Sequence, residues 1–319
     1  MARRDSFIAG RDDEGKRVDR VVRRLLGDVP LSAVFKALRT GSVRVNGRKP
    51  KPADTVREGD SFAFSNITFA ASEDRPVVVP PSVPAIDTSR ILVMETEDFL
   101  FLNKPRGVLT HGPGGLNEAV LAYLAYKRDE SLSFIPAPLH RLDRNTTGLV
   151  VASKSLRGAR AFSEALVSRS LTKRYIAVLR GRLDKEDHWV DSLERLSREH
   201  RTIQSSKMTH RKAITIVEPI AANGYLTLAD IRILTGFTHQ IRAQAAIRGR
   251  PLAGDEKYGG GKEPGGYILH AYRLDFPEDF GADAPATILV PVPDDVSLHL
   301  KEHFGPKIVL SAPPGVILP

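Results

Sequence analysis

His140-Arg141-Leu142-Asp143-Arg144-Asn145-Thr146-Thr147-Gly148-Leu149-Val150-Val151-Ala152 reads as a polar turn running straight into a buried strand. The apolar run Leu149 to Ala152 is short, continuous and β-branched in its middle, the pattern of a strand covered on both faces. One carboxylate, Asp143, stands between Arg141 and Arg144 on the turn that precedes it. Neighbouring positive charge favours the ionised form of a carboxylate. A charged aspartate on a tight turn at the mouth of a strand is how a nucleophile or base is presented. By itself the tetrapeptide is better read as an ion-paired loop.

Two further segments decide between these readings. Lys173-Arg174-Tyr175-Ile176-Ala177 starts a strand-like run, and Thr235-Gly236-Phe237-Thr238-His239-Gln240-Ile241-Arg242 leads into a helical spacing. Gly254-Asp255, Tyr258-Gly259 and Leu269-His270-Ala271 follow. In this order the segments resemble the motifs of the RluA-type RNA pseudouridine synthases, over roughly residues 88 to 300. Three co-ordered motifs are far more specific than one.

The resemblance implies a function and roles. The enzyme would isomerise specific uridines in RNA, with Asp143 as the catalytic carboxylate acting on the sugar as nucleophile or base. Arg242 would be its ion-pair partner, and Tyr175 would stack on the uracil. The target base must be flipped out, at a cost of a few kcal/mol. Arg141 would fill the vacated space, and Ile241 and Leu269 would wall the uracil. His140 and Lys104 are further candidates for substrate contact, although a lysine ending a strand is usually solvated. The isomerisation has no redox step and no net hydrolysis, so no cofactor and no metal is expected. Phe237 and Ala243-Gln244 depart from the family's usual residues beside the arginine motif, which puts substrate contacts there in question.

Composition agrees with an RNA partner. The 319 residues are 41% hydrophobic and 27% charged, with a formal net charge of +9. A polyanion suits such a surface. The chain has no cysteine, which excludes disulfides, thiolate zinc sites and a cysteine nucleophile. Met1 to Arg17 has no apolar core of a secretion signal, and no apolar run is long enough to span a bilayer. A cytoplasmic, monomeric protein with no membrane partner is expected.

Upstream, Val18, Val21, Val22, Leu25 and Leu26 have the spacing of an amphipathic helix. A second helix is expected from Pro30, with Ser32 as its cap, Val34, Phe35, Ala37 and Leu38 inside, and Gly41 at its end. Val43 and Val45 lead into the hairpin signal Asn46-Gly47. Two helices and a hairpin resemble the S-four-type RNA-binding module, with Arg20, Arg24, Lys36, Arg39, Arg44 and Arg48 on its phosphate-facing surface. Its pairing with the enzyme motifs resembles enzymes acting on large-subunit ribosomal RNA, while related enzymes act on tRNA.

The expected organisation is a tail over 1–13, the small helix-helix-hairpin domain over 14–64, a Pro-rich linker over 65–90, and a catalytic domain over 91–319. Many strand-like runs with few helices between them argue for α+β architecture, with a large, mainly antiparallel sheet. Two rival functions match parts of the sequence. His299-Leu300-Lys301-Glu302-His303 matches an inverted zinc-peptidase motif but has no acidic helix downstream to complete it. A catalytically dead RNA-binding or ribosome-assembly protein on the same fold would lack one of Asp143, Tyr175 and Arg242, and all three residue types are present.

Overall fold

The computed structural model describes residues 6–26, 29–65, 86–124, 132, 134–196, 199–205 and 212–306. The first unit comprises β1 (Ser6–Ile8), a 3-10 turn at Arg11–Asp13, α1 (Val18–Leu26), α2 (Leu31–Thr40), β2 (Val43–Val45) and β3 (Ser61–Phe64). Its strands form an antiparallel sheet in the order β1-β3-β2. Val18, Val21, Val22, Val34, Leu38, Val43, Val56 and Phe62 make its core.

Four expectations change here. Residues 6–13 are not a tail: Ser6, Phe7 and Ile8 pair with Ala63, Phe62 and Ser61, so the small sheet starts upstream of the expected boundary. α2 begins at Leu31, and its cap position is Pro30, with no side-chain cap from Ser32. Phe35 is 40% exposed, because one residue past buried Val34 the helix has turned by about 100°. Asn46-Gly47 does turn the chain, with both residues at positive φ, but it closes only a bridge from Val45 to Arg48. The ladder partner of β2 is β3, and the Asn46 side chain reaches it through Ser61 N–H and the Asp60 carboxylate.

Most of the expected linker, residues 66–85, lies outside the described residues. Its far end is not linker: Asp87 caps a short helix, α3 (Thr88–Ile91).

The large unit continues with β4 (Leu92–Glu95), β5 (Phe99–Lys104), α4 (Leu116–Tyr123), β6 (Ala137–Pro138), β7 (Thr147–Ser153) and α5 (Leu156–Ser168). Next come β8 (Thr172–Arg180), β9 (Asp187–Asp191), β10 (Leu193–Leu196), β11 (Arg201–Gln204), β12 (Ala213–Ala222) and β13 (Leu226–Ile233). The last elements are α6 (Gln240–Ile247), β14 (Leu269–Asp275), β15 (Thr287–Leu289) and α7 (Asp294–Phe304).

Ten strands form one sheet along the path β4-β5-β7-β14-β8-β13-β12-β9, with β6 on β7 and β15 on β14. Every pairing is antiparallel except β7 with β14. The α+β architecture with a large, mainly antiparallel sheet is therefore present.

β7 is buried at all seven positions. Leu149 and Val151 pack with Phe99, Phe101 and Phe162 on one face, while Val150 and Ala152 pack with Leu100, Leu102 and Tyr175 on the other. That is why its sequence is a continuous apolar run rather than an alternating one. β9 to β11 escaped the sequence reading. They are short, with only one or two buried residues each in a charged stretch, and β9 forms one edge of the sheet.

The one parallel contact brings β14 against the start of β7, with Ala271 opposite Gly148. Gly148 has φ +109°, and a Cβ there would lie 2.2 Å from the Ala271 carbonyl oxygen. Only glycine fits. Gly148→Ala should therefore cost roughly 3 kcal/mol or more, through backbone strain and overpacking together. Urea unfolding would read the loss, and a change below 1 kcal/mol would show that β14 can move away freely.

Candidate active site

Asp143 sits on the loop between β6 and β7, and that loop is fastened from several sides. The Thr110 hydroxyl donates to Leu142 O at 3.0 Å and accepts from Leu142 N at 3.1 Å. Thr146 N–H closes the turn onto Asp143 O at 3.1 Å. Arg144 O accepts from Gly107 N–H, and the Arg144 Nε donates back to Gly107 O at 3.0 Å.

Lys104 completes the clamp. It ends β5, yet it is fully buried, and its amine donates to the carbonyls of Pro105, Val108 and Arg144 at 3.0, 2.9 and 3.1 Å. Burial pushes its pKa down to about 7, against the pull of the Asp143 charge. This corrects the expectation of a solvated or substrate-facing lysine. Three carbonyls converge on it, which no local sequence pattern announces.

The guanidinium that pairs with Asp143 is that of Arg242, as expected, and not those of its chain neighbours. Arg242 Nη1 donates to Asp143 Oδ2 at 3.0 Å. Arg144 is engaged with Gly107, and Arg141 is exposed at the cavity edge.

Arg242 projects from α6 and is itself held. Nε and Nη2 donate to the two oxygens of Asp255 at 2.7 and 2.8 Å, a two-pronged contact that fixes the plane of the guanidinium. Its carbon lies 5.0 Å from the Tyr258 ring centre and 4.6 Å from that of Tyr267. Burial alone would lower its pKa, but the Asp255 hydrogen bonds, with Tyr267, Asp255 and Asp143, outweigh burial and raise it.

The second oxygen of Asp143 faces His239, with Nε2 at 3.7 Å from Oδ1. His239 stands just before α6 in the left-handed region, φ 54°. Its Nδ1 lies 2.9 Å from the Tyr258 hydroxyl, which accepts from Thr202 N–H at 2.8 Å. Every donor in this chain is satisfied if Tyr258 donates to Nδ1 and His239 carries its proton on Nε2, toward Asp143. Burial lowers the His239 pKa, opposed by Asp143 and reinforced by Arg242 and Lys257.

Asp143, His239 and Arg242 border a cavity of about 870 Å³. Tyr175, Ile241 and Leu269 line it, as the sequence reading proposed. Tyr175 is mid-strand in β8 and 6% exposed, and burial, with the Asp143 charge, raises its pKa. His140 borders the cavity too, but its Nε2 accepts from Val151 N–H at 3.1 Å and its ring stacks on Phe162. Burial, with Lys173 and His111, depresses its pKa to about 3, so the ring is neutral and pins β7. Its ring nitrogen facing β7 is therefore not available to substrate.

The departures beside the arginine motif divide. Phe237 lines the cavity. Ala243 and Gln244 are buried, and Gln244 ties the sheet together, accepting from Thr215 and donating to Asp191, Trp189 O and Ala213 O. A full set of core partners replaces the expected doubt about substrate contact.

His239, Asp255, Tyr258 and Tyr267 were missed as site residues. The Asp255 and Tyr258 segments were visible only as motif landmarks; nothing local tells which side chain reaches Arg242. His299 and His303 lie one turn apart on α7 with ring centres 4.3 Å apart. Among the described residues no three metal-ligating side chains gather.

A clamped aspartate, a doubly braced arginine and a tyrosine thus meet over one cavity beside a mixed sheet. Residues 98–246 match the family described as RNA pseudouridylate synthase. The chain is 30% identical over 250 residues to ribosomal large subunit pseudouridine synthase C of Escherichia coli (strain K12), covering 78% of this chain and 77% of that protein. It is 31% identical over 252 residues to the protein of the same name from Haemophilus influenzae, with 78% and 77% covered.

Among solved structures, human RNA pseudouridylate synthase domain containing 4 superposes with a TM-score of 0.54 at 18% identity, over 68% of this chain and 93% of that one. Human RNA pseudouridylate synthase domain containing 1 gives 0.51 at 23% identity, over 64% and 83%. These two show the shared fold. The chain belongs to the RluA family of RNA pseudouridine synthases, and it is an isomerase that acts on RNA.

Proposed function

We propose that this enzyme converts uridines of large-subunit ribosomal RNA to pseudouridine in the cytoplasm, as a monomer, with Asp143 as the catalytic carboxylate. The observation that carries the site assignment is the 3.0 Å contact of Asp143 with the braced Arg242 at the cavity wall. Arg242 occupies Oδ2 and leaves Oδ1 for the sugar. The carboxylate attacks C1′ or takes a proton from C2′. In either course the bond from C1′ to N1 breaks, uracil turns, and C1′ joins C5. The bond from Asp143 to C1′ breaks as C5 joins in the first course, and the proton returns to C2′ in the second; the C5 proton leaves and N1 gains one, so the sum is an isomerisation.

Tyr175 stacks on the uracil between the Ile241 and Leu269 walls, and Arg141 at the cavity edge enters the space of the flipped base. Tyr175→Phe should lower single-turnover rate less than Tyr175→Ala, because the ring survives the first change. Equal losses would assign the work to the hydroxyl.

The first unit is an S-four-type RNA-binding module. Arg20, Arg24, Lys36, Arg39, Arg44 and Arg48 are all exposed on it, as phosphate contacts require. Deleting residues 1–75 should weaken RNA binding and flatten its salt dependence while leaving slow catalysis, because phosphate contacts release counterions. RNA affinity against salt, with single-turnover rates at saturating RNA, checks this. Equal salt slopes would show that the surface does not touch RNA.

The target assignment rests on the names of the similar bacterial proteins. Mapping pseudouridines in cellular rRNA and tRNA with and without the gene tests it. Loss of rRNA sites is expected; loss confined to tRNA would overturn the target.

A further inference from the structure

Two lysines stand near Asp143 in contrasting settings, Lys104 fully buried and Lys173 half-buried. Lys104 is surrounded by three carbonyl acceptors, the usual treatment of a structural ammonium. Lys173 has no such set. Among the described residues no carboxylate, carbonyl or hydroxyl accepts from its amine, and burial, with no counter-charge, lowers its pKa to about 8. Its strand neighbours are Ile233 on β13 and Leu274 on β14, both apolar.

Lys173 is not merely trapped in the core, because it lines the Asp143 cavity. It lies two residues before Tyr175 on β8, so both side chains leave the same face of the sheet, about 7 Å apart. That is the scale on which a nucleotide's phosphate is set off from its base. Arg169, Lys212 and Arg141 border the same cavity. Arg169 and Arg141 are exposed, and Lys212 donates to Ser192 at 2.8 Å. Lys173 is therefore a half-buried cation, without an acceptor among the described residues, that borders the substrate space.

We propose that Lys173 binds a backbone phosphate of the target nucleotide, so that the nucleotide, and not the protein, supplies the missing counter-charge. The proposal rests on Tyr175 being the uracil platform. It explains why an ammonium is kept in an apolar setting. An anion that arrives with the flipped base makes a charge-assisted contact with this ammonium, and the contact is made only when the base is inserted. Lys173 is thus a binding residue that couples backbone position to base insertion.

The test uses small probes. Uridine, uridine 5′-monophosphate and uridine 3′-monophosphate are titrated into the full-length protein, followed by nuclear magnetic resonance at millimolar concentration. Wild type should prefer one monophosphate over uridine by about tenfold, the scale of a charge-assisted contact, and which one it prefers identifies the phosphate. Lys173→Met should reduce the preference to twofold or less while keeping uridine affinity. Lys173→Arg should restore it.

The preference should also fade in wild type as pH rises through about 8, where the free lysine loses its proton, and persist in Lys173→Arg. Neutral His140, Tyr175, Arg141, Arg169, Lys212, Asp143, His239 and Arg242 are the titratable or charged groups that border the same cavity, and each is unchanged in both variants. Equal binding of uridine and both monophosphates by wild type, or a preference surviving in Lys173→Met, would overturn the proposal. Full activity of Asp143→Asn on RNA would instead overturn the catalytic reading and leave these titrations standing.

Discussion

Asp143→Asn protein should bind RNA with near wild-type affinity and lose pseudouridine formation by on the order of a thousandfold or more. The substitution is isosteric, and the amide oxygen can still accept from Arg242 Nη1, which lies 3.0 Å from Oδ2. The loop does not depend on the carboxylate for its shape. Thr110, Lys104 and Gly107 hold it through the backbone of Leu142 and Arg144. Arg242 keeps its two bonds to Asp255, so no buried cation is abandoned. What disappears is the negative charge and the lone pair that would meet the sugar. Tritium release from 5-tritiated uridine in an rRNA transcript, beside a binding isotherm, separates chemistry from affinity. Turnover within tenfold of wild type would remove Asp143 from the catalytic role.

The second large effect concerns a residue with no proposed contact to substrate. Asp255→Ala should destabilise the protein by about 3–5 kcal/mol, because it leaves the buried Arg242 guanidinium short of two hydrogen bonds and one counter-charge. Only Asp143 and the flanking Tyr258 and Tyr267 rings would remain around it. The guanidinium would then be free to turn toward Asp143 with a second nitrogen, occupying the oxygen that substrate needs. Single-turnover rate should fall on the order of a hundredfold at saturating RNA, beyond what partial unfolding explains. Asp255→Asn retains one acceptor and should fall between. Urea unfolding and rates measured on the folded fraction check the two effects separately. A stability change under 1 kcal/mol with normal rate would mean that Arg242 needs no second carboxylate.

Much of this was legible along the chain. Leu149 to Ala152 and Phe99 to Leu102 are apolar runs, and they are the covered strands β7 and β5. Runs near Tyr175, Ala213, Tyr225 and Tyr272 are β8, β12, β13 and β14 within a few residues. Leu156, Ala159, Phe162 and Leu166 lie on α5. These elements show because burial imprints a local period on neighbouring residues. The three chemical residue types, Asp143, Tyr175 and Arg242, were recognisable by motif, and the fold does bring them to one cavity.

The amino-acid sequence by itself determined which segments would be buried and which side chains could do chemistry. Tertiary structure alone decided who stands beside whom. Asp143 is flanked in the chain by two arginines, yet its partner comes from 99 positions away. Lys104 looked like a strand end at the surface and became a buried clamp, because three carbonyls from two loops converge there. Gln244 looked like a departure that put substrate contacts in question and became a core tether. Asp255, Tyr258 and Tyr267 acquired their purpose only when α6 laid Arg242 among them. Periodicity records what each residue does relative to its own helix or strand. An ion pair, a hydrogen-bonded chain or a cation facing a cavity depends on distances between elements, and those exist only once the sheet is assembled.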